Sequence, residues 1–424
     1  MEPIFETILE KIPAPLDNAD EPLQFQVTML DYNDYLGRIG VGRVFRGAIK
    51  VGQQVSLIKT DGKVKNFRVS KLFGFIGLKR IEVQEAKSGD IIAIAGMEDI
   101  NVGETVCPTE HQEALPILRI DEPTLQMTFV VNNSPFAGRE GKYITSRKIE
   151  ERLLSQLETD VSLRVDPTES PDAWIVSGRG ELHLSILVEN MRREGYELQL
   201  SKPKVIIKEI DGVKCEPIER VQIDVPEEYT GPVMESLGAR KGEMIDMVNH
   251  GTGQVRMEFK VPSRGLIGYA TEFMTQTRGY GIINHSFDEY APFIKGHVGE
   301  RREGVLVSLE NGKASTYGIM NLEDRGVIFV EPGTEVYAGM IVGEHNREND
   351  ITVNITKEKH LTNVRSANKD QTATIRKTRS LTLEEAIQYL DDDEYCEVTP
   401  ENVRLRKKIL NKNEREKAAK RSTV

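Results

Sequence analysis

Between Leu23 and Cys107 apolar and polar residues alternate over short runs, and glycines interrupt them at Gly37, Gly40, Gly42, Gly47 and Gly52. A period of two sends successive side chains to opposite faces of a strand, and glycines at this spacing allow the tight bends of a small closed sheet. Leu23–Leu30 alternates cleanly, and Asp61-Gly62 falls between Val55–Lys59 and Val64–Val69 as a hairpin turn. Residues 23–112 are therefore read as a β-barrel. Pro-containing stretches of mixed charge, 13–22 and 116–123, flank it as linkers.

From Leu125 the period changes. Leu125–Val131 reads as a strand, and Ile149, Leu153, Leu154 and Leu157 mark one face of a helix. Val161–Val165 and Trp174–Ser177 read as strands. Leu182, Ile186, Val188 and Met191 then give a second helix that Gly195 closes, and Leu198–Leu200 a last strand. The order βαββαβ over 118–203 is the ferredoxin-like split motif. It recurs over 205–290, with strand Val221–Val225, helix Pro232–Leu237, a hairpin of Met244–Val248 and Val255–Val261 around Gly251-Thr252-Gly253, helix Leu266–Met274 and strand Ile282–Phe287. Residues 291–424 are β-rich, with strands near Val305–Leu309, Val327–Val330 and Ile351–Ile355. One helix there follows a capping box, Thr382 and Glu385, with Leu383, Ile387 and Leu390 as its buried stripe. Lys412–Arg421 reads as a charged helix or tail. The fold class is multidomain, α+β and β: one barrel, two ferredoxin-like domains, and a β-rich C-terminal domain with a helix.

A length of 424 residues exceeds one ordinary core and suits three or four domains. No apolar run approaches 18 residues, and the acids of Met1–Glu10 sit where a signal peptide requires positive charge. Cys107, Cys215 and Cys396 are too far apart in sequence for metal or redox motifs. A reduced, cytoplasmic chain without membrane contact is expected. The net charge of −11 conceals an uneven distribution. Lys357–Arg379 carries seven Lys/Arg against two acids, and 401–424 carries nine against three, while Leu381–Pro400 holds seven acids and no base. A basic C-terminal region follows.

The patterns of familiar catalytic chemistry fail. A phosphate-binding loop requires Gly-x4-Gly-Lys-Ser/Thr, and the nearest approach, Gly138-Arg-Glu-Gly141-Lys142, is two residues short and ends in Tyr143. A guanine-reading Asn-Lys-x-Asp is missed by Asn368-Lys369-Asp370-Gln371, whose acid comes one place early. The histidines form no zinc-ligand pair, and His183, between Leu182 and Leu184, reads as a packing or helix-surface residue. Asp391–Glu394 lacks the glycine and distal glutamate of a calcium loop, so neutralisation of flanking basic segments is the better reading. No catalytic residue and no metal ligand is assigned.

The basic stretch carries the binding candidates: Lys357, Lys359, His360, Arg365, Lys369, Arg376, Lys377 and Arg379. Few large apolar residues accompany them, so the stretch cannot bury itself, yet its long cationic side chains can reach phosphates. Hydroxyls and amides (Thr362, Asn363, Ser366, Asn368, Thr372, Thr374, Thr378) alternate with them. Aromatic residues on which bases could stack are absent, which favours recognition of backbone and shape. Charge alone leaves a solvated loop and an RNA contact equally open. The run Arg404–Arg421 is weaker evidence, since basic tails often only solubilise.

These residues also carry a resemblance. Leu23–Cys107, with Leu30–Val44 and Gly47–Val55, resembles the β-barrel second domain of translational GTPases. Ser177–Leu187 with Met191–Glu197 resembles domain III of the elongation factor G group, and Glu216–Glu219, Gly231–Met234 and Gly238–Gly242 resemble its domain V. That group inserts a further domain in the domain V region, and none is inserted here. With Val261–Tyr269, Asn284–Tyr290, Lys359–Ser366 and Leu381–Ala386, the whole chain resembles the BipA/TypA family. The resemblance implies a C-terminal fragment of such a GTPase, with residues 1–22 as the connector from the GTPase domain. No cofactor is then expected in this chain, since GTP and Mg2+ belong to that domain. It also implies a monomer that binds the bacterial ribosome and its large subunit, contacting rRNA and the tRNA acceptor end through 357–379, with roles in large-subunit assembly and in stress or cold adaptation. An interaction scaffold for a protein partner is the alternative.

Overall fold

A computed structural model describes residues 2–13, 18–77, 79–118, 120, 122–249, 251, 253–296, 298–299, 301–358 and 375–422. The chain forms two compact units, 1–121 with 152–163, and 122–151 with 164–424.

In the first unit, an eight-stranded antiparallel sheet runs in the order Val64–Arg68, Gln54–Ile58, Thr105–Pro108, Gln24–Asn33, Gly37–Arg46, Ile91–Ala95, Lys71–Ile76, Lys79–Val83. Phe25, Val27, Ile49, Leu57, Leu72 and Ile94 fill its interior, as the alternation requires. The Gly40-x-Gly42 spacing has a steric cause at its second member: a Cβ on Gly42 would lie 1.8 Å from the Gln26 carbonyl oxygen of the paired strand. Gln54–Ile58 and Val64–Arg68 pair across the Asp61-Gly62 turn. Glu2–Lys11 is helical and buries none of its side chains.

The second unit contains the sheets of both α+β repeats. In the first, the sheet order Arg164–Pro167, Ala173–Gly178, Leu125–Val131, Leu198–Leu200 is the one expected of a βαββαβ fold, and every pair is antiparallel. The helix Glu181–Glu194 buries Leu184, Leu187, Val188 and Met191, an i, i+3, i+4, i+7 set. Of the four apolar residues that mark this helix in the sequence, Val188 and Met191 are buried, and Leu182 and Ile186 are 63% and 52% exposed. Gly195 closes the helix in the left-handed region.

In the second repeat, Val213–Pro226 pairs with Gln254–Pro262 on one side and Ile282–Pro292 on the other, and Glu243–Asn249 adds to Gln254–Pro262 as an edge. The single helix expected over Leu266–Met274 is two, Ser263–Leu266 and Tyr269–Gln276, because Gly268 between them takes φ +71°. Tyr269 and Phe273 from the longer one reach the core of this repeat.

The C-terminal strands do not form a separate layer. Glu394–Val398 pairs antiparallel with Leu198–Leu200 (Leu198 with Val398, Leu200 with Cys396) and carries the first repeat's sheet on through Val403–Lys407, Met340–His345, Val305–Ser308 and Ile351–Val353. The join is polar. Glu397 is buried and accepts hydrogen bonds from Ser134 Oγ (2.9 Å), Tyr337 Oη (2.8 Å) and Asn132 Nδ2 (3.1 Å), and it pairs with Arg404 (3.3 Å). Arg406 donates to Gln199 Oε1 at 2.9 Å, and burial pushes its guanidinium below the usual arginine range. The capping box at Thr382 and Glu385 is present, with Ala386 and Ile387 buried behind it.

Candidate nucleic-acid interface

Both ends of the basic stretch are tied to one small apolar core, built from Leu306, Ile319, Ile328, Val342, Val353 and Ile355 among others. On the outgoing side, Glu310 accepts from Asn354 Nδ2 (2.6 Å) and from the Thr356 hydroxyl (2.9 Å). Ser315 caps the helix Thr316–Met320 through the Gly318 N–H, and its own hydroxyl donates to the Lys357 carbonyl at 2.5 Å. On the returning side, Ile375 packs against the same core, the Arg376 N–H donates to Glu323 at 2.6 Å, and the Arg379 N–H donates to the Ile328 carbonyl at 2.9 Å. Lys357 and residues 375–379 are thus held at fixed points beside the same core.

Of the eight candidate residues, four are described at these fixed points. Lys357 and Lys377 are exposed and make no ion pair among the described residues. Arg376 is 73% exposed, 4.0 Å from Asp324. Arg379 is 45% exposed, 4.0 Å from Glu344 and 3.9 Å from Glu385. Ion pairs this long between exposed groups contribute about 0–1 kcal/mol, so a phosphate can displace them. Lys359, His360, Arg365 and Lys369 lie outside the described residues, as do Thr362, Asn363, Ser366, Asn368, Thr372 and Thr374.

The second basic run behaves otherwise. Arg404 pairs with Glu397 and Glu140, and Lys407 is buried against Asp350 (2.6 Å), Glu394 (2.9 Å) and Asp393 (3.0 Å). Burial opposes the Lys407 charge, but the carboxylates around it, Glu394 first, raise its pKa above the usual lysine range. Arg404 and Lys407 are structural, and the exposed cations of the run are Lys408 and, on the helix Lys412–Ser422, Lys412, Lys417, Lys420 and Arg421. The acidic run is neutralised, though mostly not by the segments flanking it. Asp391 pairs with Lys202 (3.1 Å), Asp392 with Lys204 (2.6 Å), and Glu394 with Arg301 (2.8 Å). His183 Nδ1 accepts the Arg179 N–H at 3.2 Å, a local turn-closing role. Cys107, Cys215 and Cys396 are free and buried, and burial pushes the Cys396 thiol far up. No group of three or more His, Cys, Asp or Glu suited to a metal occurs among the described residues. No described helix is long and apolar enough to cross a membrane.

A barrel, two split α+β repeats and a C-terminal extension define a translation factor of the elongation-factor class. The matching family models agree in order along the chain: Elongation factor Tu domain 2 over residues 37–107, Elongation Factor G domain III over 143–202, Elongation factor G C-terminus over 213–300, and TypA/BipA C-terminal domain over 303–412. Those matched stretches are non-catalytic domains. The large ribosomal subunit assembly factor BipA of Bacillus subtilis is 76% identical over 421 residues, covering 99% of this chain and 69% of that protein. The proteins of the same name from Synechocystis and Escherichia coli K12 are 53% and 49% identical, covering 96% and 99% of this chain and 68% and 69% of their own lengths. The chain belongs to the BipA/TypA family.

Proposed function

We propose that this chain docks on the large ribosomal subunit, in a large-subunit assembly role, through the phosphates that the 357–379 segment meets. rRNA and the acceptor end of a tRNA are the partners of that segment. The observation that carries this reading is the anchoring of both ends of the segment beside cations that stay exposed and only loosely paired. A stem fixed in this way presents charge at a defined place and loses less entropy on binding than a free tail would. In this reading the chain works as a cytoplasmic monomer, hydrolyses no GTP itself, and supports growth in cold or stress. GTP and Mg2+ belong to the GTPase domain of BipA-like proteins.

Sedimentation with purified large subunits across a salt series tests the proposal. Association is expected to weaken with salt, each phosphate contact adding about −0.7 to −0.9 to the slope of log affinity on log salt. Changing Lys357, Lys359, Arg376 and Lys377 together to Glu is expected to abolish it, and unchanged affinity would reject the segment. A scaffold for a protein partner is the second reading. It is favoured by the edge strand Glu243–Asn249, on which Met244, Ile245, Met247 and Val248 are all exposed. Association that survives ribonuclease would favour it.

A further inference from the structure

A small polar cavity of about 140 Å³ lies where the first α+β repeat meets the C-terminal strands, and Lys202, Lys204 and Lys408 converge on it. Its floor is the outer face of Leu125–Val131, where Gln126 and Thr128 alternate with the buried Leu125, Met127 and Phe129. Those two side chains make no hydrogen bond among the described residues, so an amide and a hydroxyl face the cavity unengaged. Lys204 is held over this floor because its strand pairs there, Lys204 opposite Gln126.

Three lysines line the cavity against one carboxylate, Asp392. Lys202 is taken by Asp391 and Lys204 by Asp392. Lys408 has no carboxylate within ion-pair distance among the described residues. Its backbone N–H is fixed by the Asp393 carbonyl at 2.8 Å, and its ammonium lies over the Tyr395 ring at 4.9 Å. Asp393 is already engaged by Lys407. Partial withdrawal from water, together with repulsion by Lys204, lowers the Lys408 pKa below the usual lysine range, against the weaker attraction of Asp392 and Asp393. An ammonium that makes no ion pair, beside two others and next to neutral donors, is the electrostatic signature of a site for an oxyanion with several acceptor oxygens. At about 30 Å³ per water, the cavity has room for one tetrahedral anion.

We propose that this cavity binds a phosphate group, with Lys408 and Lys204 as its cationic contacts and Gln126 and Thr128 as neutral donors. The group can come from free phosphate or from an RNA backbone, and the inference does not depend on the 357–379 segment. The test measures the thermal midpoint of the full chain in potassium phosphate and in potassium chloride at matched ionic strength and pH. Phosphate near saturation is expected to raise the midpoint by about 2–4 °C. Lys408→Gln is expected to remove at least half of that rise and Lys408→Arg to keep it, whereas Lys420→Gln on the exposed terminal helix is expected to leave it intact. A second arm follows large-subunit association against salt. A slope reduced by about 0.7–0.9 in Lys408→Gln identifies RNA as the source. An unchanged slope with the phosphate rise abolished identifies the free anion. Lys408→Gln altering neither measurement would overturn the site, even if the segment variant abolishes docking.

Discussion

Lys407 shows how much of the apparent basic character of this chain is structural. Three carboxylates, Asp350, Asp393 and Glu394, surround its buried ammonium, and Arg301 shares Glu394. Lys407→Met fits the volume but leaves those acids without their central cation. Breaking a buried pair on one side costs about 3–5 kcal/mol, and that loss is expected in urea unfolding. A loss below about 1 kcal/mol would mean that water already screens the cluster. His285 makes a titratable contact of the opposite exposure. Its hydrogen bond to Glu219 (2.5 Å) raises its pKa above the usual histidine value, against partial burial. The folded state therefore binds this proton more tightly than the unfolded chain does. The associated stability is fully present below about pH 6.5 and declines as pH rises through the raised folded value. Thermal midpoints across pH 5.5–8.5 are expected to fall less steeply in Glu219→Gln than in the parent, because that change removes the partner. Identical slopes would assign the pH dependence elsewhere.

At the scale of elements, the strand that organises the second unit is the one the sequence concealed. Glu394–Val398 contains two buried acids and follows three aspartates, so its local pattern is that of a solvated acidic turn. Its strand character depends on partners far along the chain: Leu198–Leu200 as neighbour, and Arg301, Arg404 and Lys407 as counterions. No window of local sequence holds that information. The barrel was legible because alternation, glycine spacing and a two-residue turn are all local signals. The helix Glu181–Glu194 was legible, but which of its apolar residues are buried was not, since Leu182 and Ile186 look as apolar as Leu184 and Leu187. The Gly268 break was missed because one glycine inside an apolar run is compatible with a continuous helix. Of the candidate interface, the cations could be read directly. Their anchoring could not, because Glu310, Ser315 and Glu323 are ordinary polar residues until the fold brings them to the segment. If the shared sheet is one cooperative body, the amides of Leu198–Leu200 and Glu394–Val398 are expected to exchange with a common protection in native-state hydrogen exchange. Early exchange of the C-terminal strand alone would show that it docks as an independent element.

For the whole molecule, the question is whether docking follows total charge or the place where charge is presented. The chain carries a net −11, and much of its C-terminal positive charge is engaged internally at Arg404, Arg406 and Lys407. Besides Lys408, exposed cations among the described residues include those at the ends of the 357–379 segment and those along the helix Lys412–Ser422. They differ in their attachment. The described ends of the segment are held to the core, whereas the helix is held near its start, where Arg415 donates to the Leu410 carbonyl (2.6 Å). A matched pair of variants separates these cases: Lys357, Lys359, Arg376 and Lys377 to Glu in one, and Lys412, Lys417, Lys420 and Arg421 to Glu in the other. Both change the net charge by the same amount, so any effect of overall repulsion from a polyanion is common to both. Affinity governed by total charge would fall equally. Positional docking is expected to cost the segment variant its association and about 0.7–0.9 of salt slope for each phosphate it no longer neutralises, while the helix variant keeps most of both. Equal weakening in sedimentation would assign the helix an equal share of the docking and remove the reason for preferring the anchored segment. Among the described residues both variants change only exposed side chains outside the apolar core, so their unfolding midpoints are expected to stay close to the parent's, which keeps the comparison one of binding rather than of folding.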